Sequence, residues 1–137
     1  MDFNERLKIA ARSLACEGGV MLVNYKLLER HNRLFGSETK PFHYSVNYSK
    51  PHPGIMFIKV LPSTTKGTKN SKRYFEIDST ELNPEETLHS SSFIVLEKWR
   101  INLDNFASAD QLSFKHTLRD ELFNDIIQRF NKVRRAR

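Results

Sequence analysis

Ser63-Thr64-Thr65 sets three hydroxyl side chains in a row, and Lys66, Lys69, Lys72 and Arg73 follow them. Hydroxyls that can donate to phosphate oxygens, beside cations that balance the charge, suit an anionic partner. Tyr74 and Trp99 add aromatic faces between cations, the combination that single-stranded nucleic acid binding uses. Of the five histidines, His43 lies near a further cation, Lys40, and is the one best placed to act as acid or base. Each group also has a plain structural role. Ser and Thr hydroxyls satisfy turn backbone, and a tryptophan packs a core as readily as it stacks on a base.

The elements that must position these groups can be read from periodicity. An apolar run at 55–58, continued by Val60 and Leu61 and opened by Pro53-Gly54, predicts a buried strand that delivers the hydroxyls to a basic loop. Pro62 has no N–H to give, so ladder pairing is expected to stop there. Residues 42–48 alternate with period two and form a second strand, joined to the first as a hairpin through the turn at 49–54. Residues 20–23, 73–78 and 92–101 read as further strands, and 103–106 as a last short strand or a turn. Residues 26–40 suit either a short amphipathic helix or a long loop, and 79–91, with Pro84, read as a loop. Helices are expected at 2–16 and at 110–133, the second from the spacing of Phe114, Leu118, Leu122, Ile126, Phe130 and Val133, with Asp110 as its cap. Short strands with short turns predict a small, strongly bent sheet or barrel, since a doubly wound fold needs helical crossovers.

The chain has 137 residues, enough for one core, so a single domain is expected. A net charge of +6 and a pI near 9.6 favour an anionic partner, nucleic acid first. Cys16 is the only cysteine, which excludes an internal disulfide and fits a reducing cytoplasm. No apolar run approaches the ~18 residues of a membrane span, and the N-terminal stretch, with Asp2 and Glu5, lacks the core of a signal peptide. No Gly-rich phosphate loop, zinc-spaced ligand set or acidic cluster for magnesium is present, so neither a metal nor a cofactor is expected.

Several segments together resemble the MazF/PemK (Kid) toxins of toxin–antitoxin systems. Glu17 to Val23 is similar to that family's G-D-[IV]-x-x-V opening strand, and Lys40-Pro41-Phe42-His43-Tyr44-Ser45-Val46 to its [HR]-R-P-x-[VL]-V-[LV] strand. Leu61-Pro62-Ser63-Thr64-Thr65-Lys66 resembles the V-x-P-x-T-[TS] strand end, and Tyr74-Phe75-Glu76-Ile77 stands where the family has P-F-E-V. Residues 93–100 look like its late strand, and the family also closes with a helix. The resemblance spans residues 17–133; the helix at 2–16 is extra.

The resemblance implies an SH3-like β-barrel over 17–106 with the terminal helix packed against it. It further implies a metal-independent endoribonuclease that cleaves single-stranded RNA through its 2′-OH, acts as a homodimer and is neutralised by a cognate antitoxin. The family's catalytic Arg and Thr fall by position on Lys40 and Thr64. Lysine in place of arginine loses the planar bidentate grip on phosphate, so another cation, Arg73 or Arg100, is a candidate substitute. His43 is the added acid–base candidate. Ser63, Thr65, Lys66, Lys69, Lys72, Arg73, Glu97 and Trp99 are the expected RNA contacts, Glu97 because the family often has Asp there. The lysine departure also supports a different reading: a catalytically weak or inactive barrel that binds nucleic acid or a protein partner. Gyrase-directed toxins share this fold, but no residue here points to gyrase.

Overall fold

The computed structural model describes residues 16–49, 57–77 and 93–135. The helix expected at 2–16 (Cys16 aside), the turn residues 50–54 and the loop at 79–91 lie outside them. The strands are β1 (Gly19–Asn24), β2 (Leu28–Arg30), β3 (Arg33–Leu34), β4 (Phe42–Asn47), β5 (Phe57–Thr64), β6 (Tyr74–Glu76), β7 (Phe93–Val95), β8 (Trp99–Asn102) and β9 (Leu112–Thr117). Two short 3-10 turns, Leu103–Asn105 and Ala109–Gln111, precede β9, and one helix, α1 (Asp120–Arg135), follows it.

Every described pairing is antiparallel, in the order β3-β2-β8-β5-β4-β1-β9, with β7 on the far half of β5 and β6 on β7. The mainly antiparallel β architecture with a terminal helix is therefore as the alternating segments predict. Among the described strands the sheet does not close on itself: β3 and β9 are its edges.

Both faces of the sheet are covered. Along β1, Val20 joins one apolar cluster while Met21 and Val23 join the other; along β5, Leu61 divides from Ile58 and Val60 in the same way. This is the period-two alternation of a strand buried on both sides. On one face, residues of β1 meet Leu28 of β2 and Ile101 of β8, which lie across the intervening β5 and β4, so the sheet curls around that cluster. The other face is covered by α1. Leu122, Ile126 and Phe130, spaced four apart, are all 1% exposed or less and pack on Val46, Leu61, Ile94 and Leu96. Asp120 and Glu121 in its first turn and Lys132, Arg134 and Arg135 in its last complement the helix dipole.

Four expectations need correction. The helix predicted for 110–133 begins only at Asp120, and Asp110 sits in a 3-10 turn instead of capping it. Leu112, Phe114 and His116 also alternate with Ser113, Lys115 and Thr117, and pairing with the free edge of β1 (Val23↔Leu112 to Gly19↔Thr117) selects the strand. Residues 26–40 form neither a helix nor a long loop: β2 and β3 make a hairpin whose turn residues, His31 and Asn32, have φ of 50° and 62°. That positive-φ pair is what a two-residue hairpin turn demands, and Asn accepts it readily. The single strand read at 92–101 is two, β7 and β8, interrupted at Leu96-Glu97-Lys98. Finally, the ladder between β5 and β4 stops at Ser45↔Pro62, but β5 itself runs on to Thr64 by pairing with β7.

Phe130 anchors the helix against Tyr48, ring centroids 5.2 Å apart. Phe130→Ala is expected to cost about 3–5 kcal/mol in urea unfolding, against less than about 0.5 kcal/mol for Arg129→Ala on the exposed face. Equal effects would mean that α1 does not dock through this stripe.

Candidate functional site

Where the β4–β5 ladder ends, side chains take over. The Ser63 hydroxyl donates to the Tyr44 carbonyl (2.7 Å), and His43 Nδ1 contacts the Ser63 carbonyl (3.3 Å). Because a carbonyl only accepts, His43 carries its proton on Nδ1, which leaves Nε2 as the basic nitrogen of the neutral ring. On its other edge β5 pairs with β7 through Ser63↔Ile94 and Thr64↔Phe93. The two strands therefore separate at this end, and a cavity of about 760 Å³ opens between them.

Lys40, His43, Ser63, Thr64, Thr65 and Lys66 all line this cavity. The three expected catalytic residues thus share one site with three of the expected RNA contacts. Lys40, Thr65 and Lys66 are exposed, whereas Ser63 is buried and its hydroxyl is committed to Tyr44. Thr64 Oγ1 accepts from the Lys66 N–H (3.1 Å), which fixes its rotamer while its own O–H remains available to donate.

Phe42 completes the site, and the sequence reading missed it. It is 40% exposed and lines the same cavity as Lys40 and Lys66. Its signal was the alternation itself: in 42–48 it is the one large apolar side chain that the core does not claim.

His43 is held tightly. Its ring meets Phe35 edge-on at 4.8 Å, and Phe35 meets Trp99 in the same way at 5.0 Å. Nε2 is buried and has no hydrogen-bond partner among the described residues. Gly36 closes over it: with φ of +111°, a Cβ there would lie 2.7 Å from Nε2 and 3.0 Å from the Tyr25 Cβ, so only glycine fits. Burial lowers the His43 pKa from 6.5. The Ser63 and Lys40 carbonyls oppose that shift, and the Lys40 charge adds to it.

The remaining expected contacts lie elsewhere. Lys69 reaches Glu76 (3.9 Å) and Arg73 reaches Glu97 (3.7 Å), while Lys72 is exposed on the same loop. Gly67 pins this loop to β7, since a Cβ there would lie 2.2 Å from Phe93 Cγ. Glu97 faces a different concavity. Arg100, named as a substitute cation, is bound to Glu29 at 2.8 Å. Trp99 is 7% exposed and belongs to the core beside Val60 and Ile101, so it offers no face for a base.

Among the described residues, no group of three or more His, Cys, Asp or Glu side chains is placed to hold a metal ion, and no helix is long and apolar enough to cross a membrane. No protein-family model matches the chain, and no curated protein matches it.

The depressed His43 pKa has a thermodynamic consequence. Between the folded value and 6.5 the unfolded chain binds more protons, so stability rises with pH across that window. The contribution is complete above 6.5 and is lost as pH falls through the folded value. The His43 ring resonances in an NMR titration are expected to show a midpoint below 6.5. Gly36→Ala, which displaces the covering segment, moves that midpoint upward. An unshifted midpoint in the variant would show that Gly36 does not seal the ring.

Proposed function

We propose that the chain is a MazF/PemK-like toxin, a metal-independent endoribonuclease that cuts single-stranded RNA in the Lys40–Thr64 cleft. One observation carries the reading: residues assigned to the site from separate strands line one cavity with an exposed aromatic ring and two exposed lysines. We read the curled sheet as an SH3-like barrel left open between β3 and β9. A cytoplasmic homodimer and a small acidic antitoxin, complementary to a chain of pI 9.6, belong to the same proposal.

In this cleft the RNA backbone lies between Lys40 and Lys66, with a base stacked on Phe42. Cleavage proceeds by attack of a 2′-oxygen on the adjacent phosphorus, giving a 2′,3′-cyclic phosphate as the P–O5′ bond breaks and the 5′-oxygen takes a proton from solvent. Lys40 balances the charge that builds on the phosphorane, and the Thr64 hydroxyl donates to one of its oxygens. His43, neutral at pH 7, accepts the 2′-OH proton at Nε2 once the segment carrying Gly36 is displaced. The sealing of Nε2 favours a second reading, a module that holds RNA without cutting it.

Purified protein is mixed with a long single-stranded RNA in EDTA, wild type beside Thr64→Ala. Discrete fragments with cyclic phosphate ends are expected from wild type, with the rate about 10²–10³-fold lower in the variant. Intact RNA in both lanes, with folding confirmed by circular dichroism, overturns the nuclease. Salt-dependent RNA retention would then decide for the binding module. In either case Phe42→Ala is expected to weaken RNA retention by about 1–3 kcal/mol across sequences, and unchanged retention would remove Phe42 from the interface.

A further inference from the structure

A second concavity of about 730 Å³ lies between the β2–β3 turn, the linker joining β7 to β8, and the last turn of α1. A smaller hollow of about 340 Å³ adjoins it, sharing Arg30, His31, Lys98 and Arg134 and adding Lys59 and Tyr48. Neither shares a lining residue with the Lys40–Thr64 cleft.

Cations converge here from three elements: Arg30 from the hairpin, Lys98 from the linker, and Arg134 and Arg135 from the helix. The helix dipole accounts for the last two, but not for Arg30 and Lys98 being brought to the same place. Two carboxylates line these hollows, Glu97 in the larger and Glu29 in the smaller, and each is already engaged. Glu97 pairs with Arg73, and Glu29 takes Arg100 at 2.8 Å and Asn102 at 3.1 Å. Among the described residues, Arg30, Lys98 and Arg134 have no acidic partner. Like charges that line one concavity repel one another, and a bound anion relieves the repulsion.

The guanidinium groups are also oriented. Arg30 Nη1 donates to the Lys98 carbonyl (3.2 Å), while its Nε is buried without a partner among the described residues. Arg134 stands over the Phe130 ring, 5.4 Å from its centroid. Both arginines face the Tyr48 phenol: burial raises its pKa, and the Arg134 and Arg30 charges oppose that rise.

We propose that this concavity is a phosphate site, in which Arg30, Lys98 and Arg134 hold one phosphate group through charge-assisted hydrogen bonds. A carboxylate offers two oxygens and is satisfied by one guanidinium. A phosphate offers more, and donors arriving from three elements suit it better. The phosphate comes either from the backbone of a single-stranded nucleic acid or from a small phosphate in solution.

The test is calorimetry on the full chain with two probes, inorganic phosphate and a short single-stranded DNA, which has no 2′-hydroxyl to react. Wild type, Arg30→Gln, Arg134→Gln and Lys115→Ala, an exposed lysine of β9 outside all three hollows, are compared. Phosphate binding weakened about tenfold by either arginine substitution, but not by Lys115→Ala, is the expected result. Arg134 is exposed at the helix end, so its variant folds even where Arg30→Gln does not. If Arg134→Gln also weakens the DNA and lowers its salt slope by about 0.7, the source is a nucleic acid chain; if only the phosphate titration responds, it is a free phosphate. No phosphate binding, or binding that neither arginine substitution weakens, overturns the site. So does polyglutamate that binds and that phosphate fails to displace, which would mark the surface as one for acidic protein.

Discussion

The architecture around the cleft turns on Pro62, which has no N–H to donate at the point where β5 changes neighbours. Because the Tyr48 N–H bonds the Lys59 carbonyl, the alternation of the ladder turns the backbone of Pro62 away from β4 and toward the edge that β8 and β7 share. On that edge β5 exchanges neighbours, from β8 at Val60↔Trp99 to β7 at Ser63↔Ile94, while its β4 register stops at Ser45↔Pro62. The backbone bonds that would have closed the end are replaced by the Ser63 hydroxyl and the His43 ring. The cleft, the break between β7 and β8 at Leu96-Glu97-Lys98, and the fixed tautomer of His43 all follow from that exchange.

The same end of the sheet shows how tightly burial and reactivity are opposed. The ladder of edge-on rings, His43, Phe35 and Trp99, ties the site to the inner core, and Gly36 completes the cover. Such packing favours the neutral imidazole and orients it, and the same contacts shield Nε2 from solvent. Lys40, Thr65, Lys66 and Phe42 are open to solvent by contrast. The exposed cations and ring and the covered imidazole therefore occupy different parts of the cleft.

Much of this was legible in the sequence, for reasons that can be stated. Strands β1, β4 and β5 announce themselves by alternation or by an unbroken apolar run, and their hairpin order brings Lys40 and His43 beside Ser63 and Thr64. The errors fell where one stretch satisfied two periods or where a distant partner decided. Residues 112–117 fit both a helical stripe and a strand, and only the open edge of β1 separates them. The continuous run at 92–101 carries no internal breaker; it divides because β5 changes neighbours at Pro62. Trp99 could not be assigned to core or surface without knowing that Phe35 packs on it, and the role of Gly36 depends on a ring seven residues away that only the fold brings near.

The ladder joining β1 to β9 pairs strands from opposite ends of the described chain. Most of the sheet forms from nearer neighbours, yet β1, the earliest of these strands to leave a ribosome, keeps one edge unpaired until the residues up to Thr117 have followed. Closing so long a loop is entropically expensive before it is rewarded, and topologies dominated by such contacts fold slowly. Since α1 lies beyond β9, the stripe of Leu122, Ile126 and Phe130 that covers one face arrives later still. During synthesis the nascent sheet thus passes through a stage with an open edge and a bare apolar face, a state prone to association with other chains.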